Sequence, residues 1–242
     1  MARMRLRAAL GPLLVGLALA ALSHPAVAGL IAGLFGAPAR RQLSASRLLE
    51  LGSHHLALAG LGLLLVGGLG VGLGITVTRR RASGLRSAID TAAAAAQAVP
   101  PVVVVALALP VLGFGGPPTL LALVAYGIMP TLRGTVGAIE AVSPEAREAG
   151  IALGLTPRQV LTQVELPLAG AGILDTLRVA LVLSIATTAV GALAGASTLG
   201  TPIVAGLQNQ NLLPMLQGAS ATAALAFLGD ALMLAVAALV RR

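Results

Sequence analysis

Residues 52–78 read GSHHLALAGLGLLLVGGLGVGLGITVT, a run that contains no charged side chain. An α-helix needs about 20 consecutive, mostly apolar residues to cross the hydrocarbon core of a bilayer, so this run is long enough for one crossing. Backbone polar groups find no water inside that core and have to bond to each other within the segment. The stretch therefore predicts a transmembrane α-helix.

The rest of the chain has the same character. Of its 242 residues, 57% are apolar and only 10% are charged, and the mean hydropathy is +0.95. A soluble domain averages about 25% charged residues, so this composition excludes a soluble globular protein. The sequence predicts an all-α fold, a polytopic transmembrane helix bundle of about six spans, with helices near residues 10–34, 53–78, 88–112, 119–140, 172–195 and 213–239.

The arginines indicate how the bundle is oriented. The chain has no lysine, and its formal net charge is +8. Positive residues in short loops collect on the cytoplasmic side of a membrane. They precede the first predicted span and follow the second, fourth and sixth, at Arg3, Arg5, Arg7, Arg79, Arg80, Arg81, Arg86, Arg133, Arg147, Arg158, Arg241 and Arg242. We therefore expect a multi-pass protein in the lipid bilayer with both termini and residues 141–171 in the cytoplasm, and no nucleic-acid partner. The loop with Arg40, Arg41 and Arg47 disagrees with this pattern.

The N-terminus permits a second interpretation. The basic start MARMRLR, the apolar stretch after it and the small residues Ala26–Ala28 resemble a secretory signal peptide. The uncharged run continues past Ala28, however, and exceeds the usual apolar region of about 7–15 residues. We expect a retained helix; cleavage would leave five spans.

The sequence shows no nucleophile–base pair or metal cluster with the spacing that catalysis needs. Without cysteine there is no disulfide, thiolate metal site or cysteine nucleophile. His54 and His55 are neighbours, pointing about 100° apart on a helix, so they cannot bind one metal ion as an i, i+4 pair does. We expect both at the solvated outer edge of the second span. Neither a Gly-x-Ser-x-Gly turn nor a Walker-type glycine loop occurs. We expect no catalytic residue, metal or cofactor in this chain, so any ATP and its magnesium belong on a partner chain.

Three aspartates lie in or beside the predicted spans, where carboxylates are costly and mark ion pairs or transport pathways. Asp90 follows Arg86 by one helical turn and Asp175 precedes Arg178 by one turn, so each has a local partner. Asp230 has none nearby and should face protein or a water-filled gap. Candidates for a translocation path are the polar residues within spans, Gln97, Thr187, Thr188 and Asp230.

Aromatic residues are scarce, with no Trp, one Tyr and three Phe. The chain therefore cannot build an aromatic cage for a quaternary ammonium ligand, and tight recognition of such a cation would reside on another chain. Glycine, in contrast, is abundant in the second span and permits close approach of helices; it occurs at Gly60, Gly62, Gly67, Gly68, Gly70, Gly72 and Gly74.

The segment between the fourth and fifth spans reads SPEAREAGIALGLTPRQVLTQVELPLAGAG from residue 143 to residue 172. Ser143 suits the N-cap of a helix, with Pro144 at its first position and Glu145 near the positive end of the helix dipole. Gly154 suits the position just past the end of that helix. These signals predict a short first helix.

A second helix start follows directly. Thr156 and Gln159 have the spacing of a capping box, and Pro157 lies between them. Pro167 should end this second helix because a proline inside a helix removes a hydrogen bond. The result is a predicted cytoplasmic helix–turn–helix over residues 143–167.

The first of these helices has one face with little side-chain bulk, formed by Ala146, Ala149, Gly150 and Leu153. A partner surface could approach its backbone closely there. Charged residues at the edges would fix the register of the partner; these are Glu145, Arg147 and Glu148. From spacing alone, an ordinary loop helix folded back on its own bundle is equally compatible.

A resemblance favours the first interpretation. The residues Glu148-Ala149-Gly150, then Gly154, then Val164-Glu165-Leu166-Pro167 resemble the EAA loop of bacterial ABC importer permeases, EAA-x3-G-x9-[IV]-x-LP. Gly150 departs from it, since the family usually has a second alanine there. Flanking stretches resemble the glycine betaine, proline betaine and choline (osmoprotectant) permeases, over about residues 50–240; they are QAVPP from Gln97, MPTLRGTVGAI from Met129, LRVALVLSIATTAVGALAGASTLGTPI from Leu177, and GD ending at Asp230.

The resemblance implies the roles of the loop and its partners. In such permeases the loop forms a coupling helix that docks into a separate ATPase subunit, which assigns ATPase coupling to Glu148, Ala149, Gly150 and Gly154, flanked by Glu145 and Arg147. It also implies a second permease copy, identical or a related paralogue, and an extracytoplasmic substrate-binding protein. The implied domains are an extra N-terminal helix with an external loop, 1–50, and the importer transmembrane domain, 51–242, with the EAA-type loop at 143–167.

We therefore expect the permease subunit of an ABC importer in the bacterial inner or cell membrane. Its solute would be a compatible solute such as glycine betaine, choline or proline betaine, moved by ATP hydrolysis on another subunit. Two alternatives remain open from the sequence: an ABC permease for another small solute such as an amino acid, and an ATP-independent carrier or channel.

Overall fold

The computed structural model describes residues 2–34, 42–79 and 85–240. Within these ranges the regular structure is helical, as predicted. The helices are α1 (Ala2–Ser23), α2 (Pro25–Leu34), α3 (Ala45–Val77), α4 (Leu85–Ala98), α5 (Pro101–Leu112), α6 (Gly116–Glu140), α7 (Pro144–Ala152), α8 (Pro157–Val160), α9 (Leu166–Val190), α10 (Gly200–Gln208) and α11 (Leu212–Val240), with a π-turn at Leu161–Glu165 and a 3₁₀ turn at Gly191–Ala194.

Four helical stretches are long and apolar enough to cross a membrane, and six do so if each of two bent pairs counts as one span. The four continuous stretches are Ala45–Val77, Gly116–Glu140, Pro157–Ala194 and Leu212–Leu239. The prediction of about six spans is confirmed in this sense, by length and composition.

Two of the predicted helices are broken instead of straight. The segment predicted near 10–34 bends by 83° between α1 and α2, and the segment near 88–112 bends by 88° between α4 and α5. Each break precedes a proline, Pro25 in the first case and Pro100-Pro101 in the second. Proline disfavours the helical conformation in the residue before it, so these helices end where uncharged composition alone would continue them.

α3 packs closely against α6. A side chain at Gly70 would place its Cβ 2.6 Å from Cβ of Thr131, and one at Gly74 would place it 2.7 Å from Cβ of Thr135. Both threonines are buried and turn their hydroxyls back to their own helix, at 2.9 and 2.8 Å from the carbonyl oxygens of Gly127 and Thr131. The two backbones are therefore close because the glycines have no side chain.

Substitution at this contact tests the packing. We expect Gly70→Val to lower the unfolding free energy by about 1–3 kcal/mol, the usual cost of overpacking, because Thr131 blocks the added atoms. Gly72→Val is the matched control, since a Cβ there meets nothing within 4 Å. Thermal unfolding of the purified protein in detergent measures both variants. Equal melting temperatures for the two would contradict the close α3–α6 contact.

A buried amide joins the end of α1 and the segment before α3 to α11. Gln217 is fully buried; its Oε1 accepts from Leu43 N at 2.9 Å, and its Nε2 donates to Leu43 O at 3.1 Å and to Ser23 O at 3.4 Å. Leu228 lies over Gly16 further along the same interface. α1 therefore runs antiparallel to α11, which brings the start of α1 to the end of α11.

α11 is antiparallel to α9 as well. Arg178 and Asp230 meet near the middle of the two helices, and Gly218, near the start of α11, lies against Leu199, which follows α9. The first residues of α1, the last of α11 and the start of α9 are thus at one end of the bundle. The geometry agrees with the predicted clustering of both termini with the 141–171 segment.

The prediction that both histidines are solvated is wrong for His55. His54 is exposed, but His55 is fully buried between α3, α9 and the chain before α10. Its Nδ1 accepts from Leu199 N at 3.3 Å, so Nε2 carries the proton and donates to Ile185 O at 3.0 Å. A neutral imidazole tolerates this position because both ring nitrogens have backbone partners.

Candidate functional site: the α7 helix and the charges behind it

The structure confirms the predicted N-cap and first turn of α7. The Ser143 hydroxyl accepts from Ala146 N at 3.3 Å, Pro144 occupies the first turn, and Glu145 lies in that turn. An acidic side chain there interacts favourably with the positive end of the helix dipole. These local signals fix α7 to begin at Pro144.

The end of α7 follows from Gly154. This glycine has φ +82°, a conformation that other residues adopt at a cost. Leu155 N donates to Gly150 O at 3.1 Å and Gly154 N donates to Ile151 O at 2.9 Å, the two bonds of a Schellman motif. Gly154 therefore ends α7 and turns the chain toward α8.

The residues that the sequence predicted on one small-residue face of α7 are partly exposed and partly buried in the structure. Ala149 is exposed and Leu153 is 82% exposed, together with Ile151 at 63%. Gly150 is buried, and a Cβ added to it would lie 3.3 Å from Val164 Cγ2. Ala146 packs on the apolar cluster around Ile139. One side of α7 is thus seated on the bundle, and the other presents Glu145, Glu148, Ala149, Ile151 and Leu153 outward.

The second helix of the predicted helix–turn–helix is not separate. Its capping box is confirmed, with Gln159 Oε1 accepting from Thr156 N at 2.9 Å and the Thr156 hydroxyl accepting from Gln159 N at 3.4 Å. Pro167, however, does not end the helix, which continues from α8 through the π-turn into α9. A π-turn widens the helix by one residue, so the chain accommodates the proline without stopping.

A buried carboxylate behind α7 joins it to the bundle. Glu165 Oε2 lies 2.7 Å from Arg79 Nη1, and Glu165 Oε1 lies 2.9 Å from Arg147 Nε. Arg147 Nη2 also donates to Ile139 O at 2.6 Å. Arg147, which the sequence predicted at a partner-facing edge, thus points inward to the start of α9 and the end of α6. Glu165 and Arg79 were not singled out as site residues, because their positions 86 residues apart meet only in the fold.

A second ion pair lies within the spans. Arg178 donates to both carboxylate oxygens of Asp230, with Nη2 to Oδ2 at 3.1 Å and Nε to Oδ1. The contact agrees with the prediction that Asp230 faces protein or a water-filled gap, and its partner Arg178 is on α9. The guanidinium of Arg178 is directed to α11 and not only to its neighbour Asp175. The Arg86–Asp90 pair predicted on α4 falls on side chains outside the described part of the structure.

The four predicted path residues occupy different surroundings. Gln97 is exposed near the end of α4, and Asp230 is 14% exposed beside Arg178 at 35%. Thr187 and Thr188 are buried within the single chain, where the Thr188 hydroxyl donates to Ser184 O at 2.7 Å. In residues 2–34, 42–79 and 85–240, no three histidine or acidic side chains lie close enough to hold one metal ion.

The Arg178–Asp230 pair supplies a stability test. We expect Asp230→Asn to lower the unfolding free energy by about 2 kcal/mol, less than the cost of breaking a fully buried pair, because Arg178 remains partly exposed. Glu50→Gln is the matched control, since the Arg47–Glu50 pair is about half exposed on both sides and such pairs contribute about 0.2–1 kcal/mol.

The double variant Arg178→Gln with Asp230→Asn should recover part of the lost melting temperature in detergent, because no unpaired charge remains in the span. A double variant that melts below Asp230→Asn would show that the two side chains do not depend on each other.

Apolar helices of membrane-spanning length, with a short capped helix at one end of the bundle, define a polytopic membrane protein. Residues 70–242 match the family described as binding-protein-dependent transport system inner membrane component. The chain belongs to this family and is a permease subunit of an ABC importer.

Curated relatives support the same assignment. The glycine betaine/carnitine/choline transport system permease protein OpuCD of Bacillus subtilis is 36% identical over 74% of this chain and 78% of its own length. The choline transport system permease protein OpuBD of the same organism is 37% identical over 76% and 80%. The osmoprotectant import permease protein OsmY of Salmonella typhimurium is 32% identical over 77% and 79%. The resemblance to osmoprotectant permeases is confirmed.

Solved structures support the fold. A chain of the MetNI methionine ABC transporter, in an inward facing conformation, superposes with a TM-score of 0.74 over 83% of this chain and 100% of that chain, at 21% identity. An amino acid ABC transporter chain superposes with a TM-score of 0.66 over 78% and 91%, at 17% identity. At these identities the likeness concerns the fold alone.

Proposed function

We propose that this permease imports a small quaternary-ammonium solute, such as glycine betaine, choline or proline betaine, with ATP and magnesium bound on a separate ATPase subunit. The observation that carries the solute class is the identity of 36–37% over about three quarters of the chain with permeases named for glycine betaine, carnitine and choline. The MetNI and amino acid transporter chains are 17–21% identical and therefore do not bear on the solute.

The proposed coupling element is α7. Its exposed side offers two acidic side chains, a small residue and two apolar ones, a surface suited to a cleft with basic edges; these are Glu145, Glu148, Ala149, Ile151 and Leu153. Gly150 and Gly154 set its seating and its end, and Arg147 holds it from behind. Closure of the ATPase dimer would push α7, and the bundle would alternate between inward and outward access.

The proposed partners are the ATPase, a second permease copy or paralogue, and an extracytoplasmic binding protein. The binding protein supplies the aromatic recognition that one Tyr and three Phe cannot provide here. α7 and both termini would then face the cytoplasm, since the ATPase works there. The path would pass Asp230 and the partly exposed Arg178, because a charge at mid-span avoids lipid by facing water or protein. Gln97, Thr187 and Thr188 are further path candidates, the threonines only after helix movement.

Charge reversal on α7 tests the coupling. We expect Glu148→Arg to abolish the stimulation of ATP hydrolysis by solute-loaded binding protein, because it reverses the charge on the docking side. Glu148→Gln keeps the shape and removes only the charge, so it should retain more stimulation. Both are measured in proteoliposomes with the cognate ATPase. If Glu148→Arg left hydrolysis and uptake unchanged, α7 would not be the coupling element.

Exchange of the binding protein tests the solute. We expect uptake specificity to follow the binding protein, because this chain lacks an aromatic cage. Radiolabelled glycine betaine, choline and an amino acid are compared with each of two binding proteins. Uptake by the permease alone, without ATPase, would instead support an ATP-independent carrier. Transport of the amino acid with the cognate binding protein would support the other permease class.

A further inference from the structure

We propose that Glu165 is the positioning residue that transmits movement of α7 to the transmembrane helices, through its paired contacts with Arg79 and Arg147. This inference rests on the proposed coupling role of α7. It concerns residues outside the docking surface, at the point where four helices meet.

The network reaches each of those helices. Glu165 closes the π-turn before α9, Arg79 follows α3, Arg147 lies on α7, and Ile139 O, which accepts from Arg147, belongs to the last turn of α6. Arg79 is itself fixed, since its Nη2 donates to the Thr78 hydroxyl at 2.7 Å. The Glu165 side chain is only 9% exposed, so its two ion pairs are poorly screened by water.

The π-turn explains why a carboxylate points inward at this position. Val160 and Glu165 are both buried although they are five residues apart, whereas residues on one face of a regular α-helix are three or four apart. Leu166 N donates to Leu161 O, the i to i−5 bond of a π-turn. Widened turns of this kind occur frequently at functional sites. In this protein the π-turn directs the Glu165 side chain toward Arg147 on α7.

Apolar packing holds α7 only weakly. The large apolar side chains of Ile151 in α7 and Leu153 just after it are 63% and 82% exposed, and the contacts beneath α7 come from Ala146 and Gly150. An open cavity of about 1030 Å³ lies beside it, lined by Arg79, Arg147, Glu165 and their neighbours. The Arg147–Glu165 ion pair and the hydrogen bond from Arg147 to Ile139 O therefore supplement this packing and connect α7 to the spans.

Loss of the carboxylate would break this connection. The two guanidinium groups would be left facing each other without a negative charge between them, which is unfavourable at short range. α7 would remain folded through its caps at Ser143 and Gly154 and could still dock, but its movement would no longer be passed to α3 and α9.

The test uses the full complex in proteoliposomes, with permease, ATPase, binding protein and glycine betaine. We expect Glu165→Gln to keep assembly and basal ATP hydrolysis and to lower solute moved per ATP by about 5- to 150-fold, the range of ordinary allosteric coupling. Glu50→Gln is the matched control because its ion pair with Arg47 is exposed and lies within one helix. Arg147→Gln combined with Glu165→Gln should lower this ratio by less than the product of the two single effects, since both single variants break the same ion pair.

An unchanged ratio of solute to ATP in Glu165→Gln would overturn the proposal, including the case where the amount of complex falls and the ratio stays constant. A wild-type complex without solute uptake would defeat the proposed function instead.

A second measurement does not depend on the solute or the ATPase. Hydrogen exchange of the purified permease should show faster exchange over residues 144–152 in Glu165→Gln than in the wild type and in Glu50→Gln. Equal exchange in all three would show that Glu165 does not hold α7, and the proposal would fail.

Discussion

The hydrocarbon core cannot solvate charges or free backbone groups, and this constraint governs the rest of the structure. It makes the chain helical, because only a helix satisfies its own backbone within one segment. It also sorts the charged residues into two kinds. Arg79 and Arg147, at helix ends, meet Glu165, whereas Arg178, at mid-span, is held by Asp230. Polar side chains inside the bundle likewise turn to backbone oxygens, as Thr131 and Thr135 do.

Features encoded within one helical turn could be predicted from the sequence. The cap at Ser143, the capping box at Thr156 and the positive φ of Gly154 depend on neighbouring residues only, and the structure confirms each. Contacts across the chain could not be predicted in the same way. His55 was expected in solvent because nothing in its vicinity reveals that Ile185 O and Leu199 N are available to it.

The prolines show that local sequence rules predict some helix ends and not others. Pro25 and Pro100-Pro101 break helices that their apolar composition would have made continuous, whereas Pro167, expected to break one, lies inside a continuous helix after a π-turn. Pro167 differs in that a π-turn precedes it and the helix that it enters packs against several others. α9 is held on several sides by α3, α6 and α11, so the loss of one backbone bond does not release it. α4 and α5 meet fewer partners in the described residues, and there the proline determines the shape.

Gly150 illustrates how a departure from a family pattern is accommodated. Alanine is usual at this place in the EAA loop, and glycine costs about 1 kcal/mol relative to it within a helix. The methyl group of an alanine at this position would meet Val164 Cγ2 at 3.3 Å, a tight contact, and Leu155 and Val160 at 3.5 and 3.6 Å, which are ordinary van der Waals distances. Val164 would have to shift by a few tenths of an ångström, and its β-branched side chain is stiff. Gly150 therefore lets α7 rest directly against Val164 in the π-turn that carries Glu165.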